Sequence, residues 1–105
     1  MTNINELNLN DSVINAIELR QGQVELKLDY IDDYVTQQSS RKSLIFLDCS
    51  KFVFEMRYCY DLFGAILSGE QKILNDYIEY KIVTSTTAST MIIHARKFEL
   101  VATQF

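Results

Sequence analysis

The sequence contains no proline, and it has only three glycines among its 105 residues. Proline is a common means of keeping the edge strands of a sheet from pairing with another chain. The edges of any sheet here therefore need charge, a β-bulge or a second subunit for protection, and a homodimer through an edge strand is one expected assembly. The glycines, Gly22, Gly64 and Gly69, are too dispersed to form a glycine-rich phosphate-binding loop.

Cysteine and histidine are also scarce, since the chain has only Cys49, Cys59 and His94. Neither a continuous strand nor a tight hairpin through this stretch brings the two cysteines within the Cα distance of about 7 Å that a disulfide tolerates. We therefore expect free thiols, which are typical of a reducing compartment. No CxxC or HxxxH spacing is present, so the sequence predicts no metal site. It also predicts no cofactor and no catalytic residue, because nothing in it places a nucleophile and an acid beside His94.

Long apolar runs and positive charge are lacking as well. No stretch approaches the roughly 18 apolar residues of a membrane span, and residues 1–10 do not resemble a secretory signal. The net charge is −4 and the isoelectric point is about 4.8. Phosphate recognition needs a basic surface, so nucleic acid and anionic membranes are not expected partners. These features together predict a cytoplasmic protein.

What the sequence does contain is the alternation of strands, which is most extended in residues 43–60. Residues 44–47 are continuously apolar, as in a strand buried on both faces. From Phe52 onward the side chains alternate between an aromatic and a mixed face. The polar break at residues 48–51 is either the turn of a hairpin or a bulge in one long bent strand. The absence of glycine and proline there favours the bent strand or a loose turn.

The clearest hairpin comes earlier, in residues 13–20 and 23–30, with Gly22 in the turn because a tight turn requires positive φ. Its second strand alternates cleanly, with Val24, Leu26, Leu28 and Tyr30 inward and Gln23, Glu25, Lys27 and Asp29 outward. Residues 31–42 show no periodicity, and we expect them to form a long surface connection.

The remaining segments complete a mainly β chain. Residues 76–84 and 90–100 alternate as strands do. Residues 61–75 fit either a short helix from Ser68 or an interrupted strand. Residues 1–10 are expected to form a loose lead-in, with Leu7 and Leu9 against the core. We predict one domain over residues 1–105: a single antiparallel β sandwich or partly open barrel of about six to seven strands, with at most one or two short helices.

One polar cluster is a candidate site. The segment DYIDDY places three carboxylates and two tyrosines close together: Asp29, Tyr30, Asp32, Asp33 and Tyr34. The spacing is not that of an EF-hand calcium loop. A solvated acidic loop is one interpretation. The other is a recognition surface for a basic protein, because tyrosine supplies contact area and carboxylates steer association.

The order of several short motifs resembles small bacterial YxiG-like domains, and related proteins act as immunity partners in polymorphic toxin systems. The resemblance rests on Asn10-Asp11-Ser12 with Ile14 and Ile17, on Leu28-Asp29-Tyr30, on Leu44-Ile45-Phe46 and on residues 95–98. Asn10 stands where the family's pattern has histidine. The resemblance implies a small cytosolic β domain that binds another protein.

These observations favour a non-enzymatic protein-binding domain, with an immunity protein that neutralises a basic toxin domain as the specific form. The alternative is a small-molecule-binding β domain with a cavity between its sheets, lined by Phe52, Phe54, Tyr80 and Ile93. A third hypothesis is an enzyme that uses His94, which would require an acid and a nucleophile close to the imidazole.

Overall fold

The computed structural model describes residues 3–56, 64–85 and 89–102. These residues form one short 3₁₀ helix and eight β-strands. In chain order the elements are the helix Ile4–Glu6, β1 Val13–Arg20, β2 Gln23–Asp33, β3 Gln38–Leu47, β4 Lys51–Glu55, β5 Ile66–Ile73, β6 Ile78–Thr84, β7 Thr90–Ala95 and β8 Lys97–Ala102.

The strands form two antiparallel sheets of four strands each. The first sheet has the order β1-β2-β3-β8 and the second has the order β4-β7-β6-β5. This arrangement confirms the predicted mainly β sandwich, and the sheets do not close into a barrel. The described residues hold eight strands rather than six to seven, because two predicted stretches each divide into two strands and residues 66–73 are also a strand.

The two sheets share a corner at which two neighbouring strands bend from one sheet into the other. Leu47 pairs with Lys97 on one side of the corner, and Lys51 pairs with His94 on the other. Three residues separate Leu47 from Lys51 and two separate His94 from Lys97, so the first strand carries one extra residue, as in a bulge. The bent-strand interpretation of residues 43–56 is therefore confirmed, and the hairpin alternative is wrong.

The same corner divides the strand predicted at residues 90–100 into β7 and β8. Arg96 lies at the bend, where its backbone N–H donates to the carbonyl of Leu47 at 3.0 Å. Asp48 takes a positive φ of 53° on the neighbouring strand. An aspartate tolerates this conformation better than most residues, which explains how the chain turns here without glycine.

The first hairpin forms as predicted, with Gly22 at a φ of 71°. Val24, Leu26, Leu28 and Tyr30 are all buried. Glu25 faces outward as expected but is only 9% exposed, because neighbouring polar side chains cover it.

The long surface connection predicted at residues 31–42 is wrong. β2 continues to Asp33, a four-residue turn follows, and β3 begins at Gln38, so the segment is the end of a second hairpin. A bulge lies between Ile31 and Asp33. Apolar and polar side chains do not alternate in residues 32–41 because both faces of this segment are exposed. The strands still pair, since the backbone hydrogen bonds of a hairpin do not depend on side-chain polarity.

The sequence predicts either a short helix or an interrupted strand for residues 61–75, and residues 66–73 of this segment form the strand β5. Residues 61–63 lie outside the described residues. The 3₁₀ helix packs on β5, and the backbone N–H of Ile4 donates to Oε1 of Gln71 at 2.7 Å. Ile4 is fully buried and Leu9 is 2% exposed. Residues 3–10 are thus anchored rather than a loose lead-in, because Ile4 joins the predicted Leu7 and Leu9 in packing on the core.

The core lies between the sheets and draws side chains from both. Phe46 of the first sheet contacts Tyr80 of the second with ring centroids 4.9 Å apart, and Phe98 meets Tyr80 edge-on at 5.7 Å. The interior of the described region leaves no buried side-chain nitrogen or oxygen without a hydrogen-bond partner. None of the helical structure in residues 3–56, 64–85 and 89–102 is long and apolar enough to cross a bilayer.

Candidate functional site

The predicted cluster lies at the end of the second hairpin, where β2 and β3 extend past the core. Every residue from 32 to 41 is exposed, and we call this segment the distal hairpin. Asp32, Asp33 and Tyr34 belong to it, while Asp29 and Tyr30 lie just before it on β2. The structure therefore brings the five residues to one end of the molecule, but it gives them different environments.

Tyr30 points into the core and is only 6% exposed. Its hydroxyl oxygen accepts a hydrogen bond from the backbone N–H of Asn8 at 2.8 Å. The ammonium of Lys42 lies 4.8 Å from the centre of its ring. Tyr30 cannot supply contact area to a partner, so the predicted surface is corrected at this residue. The alternation along β2 already placed Tyr30 inward with Leu28.

Two of the three carboxylates are paired with cations of β3. Asp32 lies 2.9 Å from Nζ of Lys42, and Asp29 lies 3.9 Å from Nε of Arg41. The hydrogen bond from Lys42, followed by one from Ser40, lowers the pKa of the Asp32 carboxyl. The pair with Arg41 arises because the hairpin register sets Asp29 directly opposite it. The acidic field at this end is consequently weaker than the sequence suggests.

Asp33 and Tyr34 fix the shape of the hairpin end. The carboxylate Oδ1 of Asp33 accepts a hydrogen bond from the backbone N–H of Val35 at 2.8 Å. The hydroxyl of Tyr34 donates to the carbonyl of Asn10 at 2.7 Å. Partial burial, then the nearby charge of Asp11, raises the pKa of Tyr34. The phenol therefore stays protonated and remains a donor at neutral pH.

Val35 is the residue that sequence reasoning missed. Its side chain is 91% exposed, the highest value among the exposed large apolar residues of the described chain. The signal in the sequence is weak: a single valine inside a polar segment that lacks alternation. Only the hairpin geometry shows that it stands at the outermost turn, beside Tyr34, which is 40% exposed.

His94 lies away from the distal hairpin, on the outer face of the second sheet. Its Nε2 is 2.8 Å from a carboxylate oxygen of Glu79, and its ring stacks on Tyr77 with centroids 4.5 Å apart. The imidazole is 12% exposed. An acid is thus present, but the hydrogen-bond partner that the described residues provide for the ring is this acid and not a nucleophilic hydroxyl or thiol.

The four residues predicted to line a ligand cavity do not share one environment. Tyr80 and Ile93 are almost completely buried in the packed core. Phe52 and Phe54 are half-buried on β4, at the edge of the second sheet, where they pack against the core from one side. The structure therefore divides these residues between the interior and an edge.

The remaining predictions concern a metal site, which the sequence does not predict, and the two cysteines, which are expected to be free thiols. Across the described ranges, no group of three or more His, Cys, Asp or Glu side chains is placed to hold a metal ion. Cys49 is a free, half-buried thiol near the sheet corner. Cys59, the other predicted free thiol, lies outside the described residues, as do Tyr58 and Tyr60 of the predicted aromatic face.

Comparison of the chain with protein-family models, with curated proteins and with solved structures found no match.

Proposed function

We propose that this chain is a non-enzymatic protein-binding domain that contacts its partner through the distal hairpin. The observation that carries the proposal is the extension of residues 32–41 beyond the core, with Val35 91% exposed at its turn. A two-stranded projection contributes little to the core that stabilises the domain. Its exposed apolar tip gains burial only through contact with another molecule.

The rigidity of the hairpin end supports the same role. Asp33 holds the turn through the N–H of Val35, and Tyr34 ties the turn to Asn10. Gln37 adds a hydrogen bond from Nε2 to the carbonyl of Tyr34 at 2.6 Å. A surface that is already held in one conformation loses less entropy on binding, which favours affinity.

Charge indicates the chemistry of the partner. Arg41 and Lys42 offset Asp29 and Asp32, but Asp33 and the exposed Asp11 also lie near Tyr34. The whole chain carries a net charge of −4. A basic protein surface is complementary to this end, and the long-range attraction would accelerate association at low salt.

Immunity against a toxin is the specific form of this function that the motif resemblance implies. A cationic toxin domain, such as one that binds nucleic acid, would present the basic surface to which an acidic chain is complementary. The distal hairpin would then cover part of that surface. This form of the proposal requires that the partner is a toxin whose gene lies near the gene for this chain.

Val35→Arg is the variant that tests the hairpin. The side chain is 91% exposed, so the fold should be unchanged, while the apolar tip is lost and a like charge faces the basic partner. The wild-type chain would be used to capture proteins from a lysate of its cell of origin. The purified partner's Kd for the variant should rise by about tenfold or more.

Leu19→Arg is the matched control. Leu19 is 62% exposed on β1 and pairs with Val24, at the end of β2 opposite the distal hairpin, and the substitution makes the same change in charge. This variant should bind as the wild type does, and the on-rate of the wild type should fall as salt increases. Equal loss of affinity in both variants, or the absence of any partner retained by the wild type, would contradict the proposal.

A further inference from the structure

β4 is an edge strand with apolar side chains. In the described part of the chain it pairs only with β7, so its other edge has no strand beside it there. Phe52, Val53 and Phe54 are each only half-buried. An edge of this kind can accept another strand through the N–H and C=O groups that its neighbour does not use.

The sequence of β4 is complementary to itself in the antiparallel direction. The strand reads KFVFE, with Lys51 and Glu55 at its ends and Val53 at its centre. Two copies related by a two-fold axis at Val53 would place Lys51 opposite Glu55 of the second copy, and Phe52 opposite Phe54. Every facing pair is then either opposite in charge or apolar, and such pairs stabilise neighbouring strands.

The two faces of the strand suit this arrangement. Lys51 and Glu55 are exposed, and their β7 partners are His94 and Thr90, which lie on the outer face of the sheet. The charged pairs would therefore form in solvent, where they set register. Phe52 and Phe54 face the core side, so the aromatic pairs would cover apolar surface that is half-exposed in a single chain.

The other edge strands lack this property. Full-length antiparallel pairing of β8 with itself would set Lys97 opposite Ala102 and Glu99 opposite Leu100. On β5, the same operation sets Leu67 opposite Lys72, and the 3₁₀ helix already packs on that strand. On β1 it sets Asn15 opposite Glu18, and Val13 bridges Ala65.

We propose that two copies of this chain associate through β4, which joins their second sheets into one continuous antiparallel sheet. Charge complementarity between the two ends of the strand selects a second copy as the occupant of this edge. A strand of five residues offers a small interface, and we therefore expect a weak dimer that forms and dissociates with concentration.

The test is sedimentation equilibrium of the full chain from about 10 µM to 1 mM, a range that brackets weak association. The wild type should form a reversible dimer. Lys51→Glu gives β4 two acidic ends and Glu55→Lys gives it two basic ends, so each variant alone faces two like-charge pairs. Each should raise the dimer dissociation constant by about tenfold or more.

Mixing the two variants in equal amounts makes the experiment specific to β4. Every facing charged pair in the mixed dimer is again opposite in sign, so the mixture should associate more tightly than either variant alone. Lys97→Glu and Glu99→Lys make the same charge changes at exposed positions of β8 and should leave wild-type association unchanged. Circular dichroism would confirm that all variants fold.

A wild type that stays monomeric across the concentration range would overturn the proposal. So would β4 reversals that act no differently from those on β8, or a mixture of Lys51→Glu with Glu55→Lys that associates no better than its components. The distal hairpin plays no part in this interface. Val35→Arg should therefore leave self-association unchanged, which separates this outcome from that of the protein-binding proposal.

Discussion

At the residue scale, Glu25 shows how a side chain that alternation places outward can still be buried. Its carboxylate accepts hydrogen bonds from Nη1 of Arg20 at 2.7 Å and from Oγ of Ser43 at 2.8 Å. Arg20 also contacts Glu18 at 2.6 Å. The result is a charged network over the outer face of the first sheet, in which every polar atom of the buried carboxylate has a partner.

This network makes stability depend on pH. The hydrogen bond from Arg20, then that from Ser43, lowers the pKa of the Glu25 carboxyl below its ordinary value of 4.5. Because the folded-state pKa is the lower one, the stabilisation is fully present above the ordinary value. It is lost as the pH falls from there through the lowered pKa.

We predict that Glu25→Gln lowers the free energy of unfolding by about 1–2 kcal/mol at neutral pH and flattens its decline in acid. Urea denaturation from neutral pH to pH about 3 would measure both effects. Glu99→Gln is the control, because Glu99 is exposed on β8. An equal flattening in both variants would show that the acid sensitivity does not come from Glu25.

At the element scale, Ser12 joins three segments of the chain. Its side chain is fully buried, its hydroxyl donates to the carbonyl of Asn8 at 2.7 Å, and it accepts from the backbone N–H of Ile31 at 3.1 Å. The backbone N–H of Asp11 and the carbonyl of Ser12 also pair with Ile66 of β5. The hydroxyl therefore joins the lead-in to the bulged part of β2, and the backbone beside it joins both to the first residue of β5.

We predict that Ser12→Ala destabilises the fold by about 1–3 kcal/mol, because it leaves the Asn8 carbonyl and the Ile31 N–H without a partner. Urea denaturation gives the size of the effect, and amide hydrogen exchange should be faster at Ile31. Ser39→Ala, at an exposed position opposite Ile31 on β3, should change neither measurement. Unchanged protection at Ile31 in the Ser12 variant would contradict this role.

Also at the element scale, the local pattern predicted strands well where one face is buried, as in β1, β2 and β6. It failed in the distal hairpin and in β5. Residues 32–41 have no buried face to impose alternation, and β5 mixes Gly69 and Gln71 with apolar residues. Gly69 lies against the buried Leu9, and an added Cβ would lie 2.7 Å from Cδ1 of Leu9, so a larger residue would oblige that side chain to move.

At the scale of the whole molecule, folding must pair strands that are distant in sequence. β3 joins β8, and β1 contacts the start of β5 through the Val13–Ala65 bridge. Domains of this type fold in milliseconds to seconds. The chain contains no proline, so proline isomerisation, which takes tens to hundreds of seconds, cannot limit refolding.

We predict that refolding after urea dilution lacks any phase of tens of seconds or longer. Stopped-flow fluorescence of the tyrosines would follow it, and a double-jump experiment would vary the time spent unfolded. The refolding rate should be the same after short and long unfolding times. A slow phase that grows with the unfolding time, at concentrations too low for self-association, would contradict the prediction.

The predicted site shows the limit of sequence reasoning at this same scale. The sequence identified the segment that forms the exposed end, because acids and tyrosines cluster there. It could not show that Lys42 pairs with Asp32 or that Val35 stands at the turn. Both facts depend on where β2 turns back and pairs with β3, which the polar segment does not reveal.

The sequence by itself determined the class of fold and the inward residues of its regular strands, because period-two burial is a local property of an extended chain. It also determined the acidic balance. Tertiary structure alone decided that two strands bend together at Asp48 and Arg96. It also decided which charges pair at the distal hairpin and which strands lie at the edges of the two sheets. These depend on contacts between residues far apart in the chain, which no local pattern specifies.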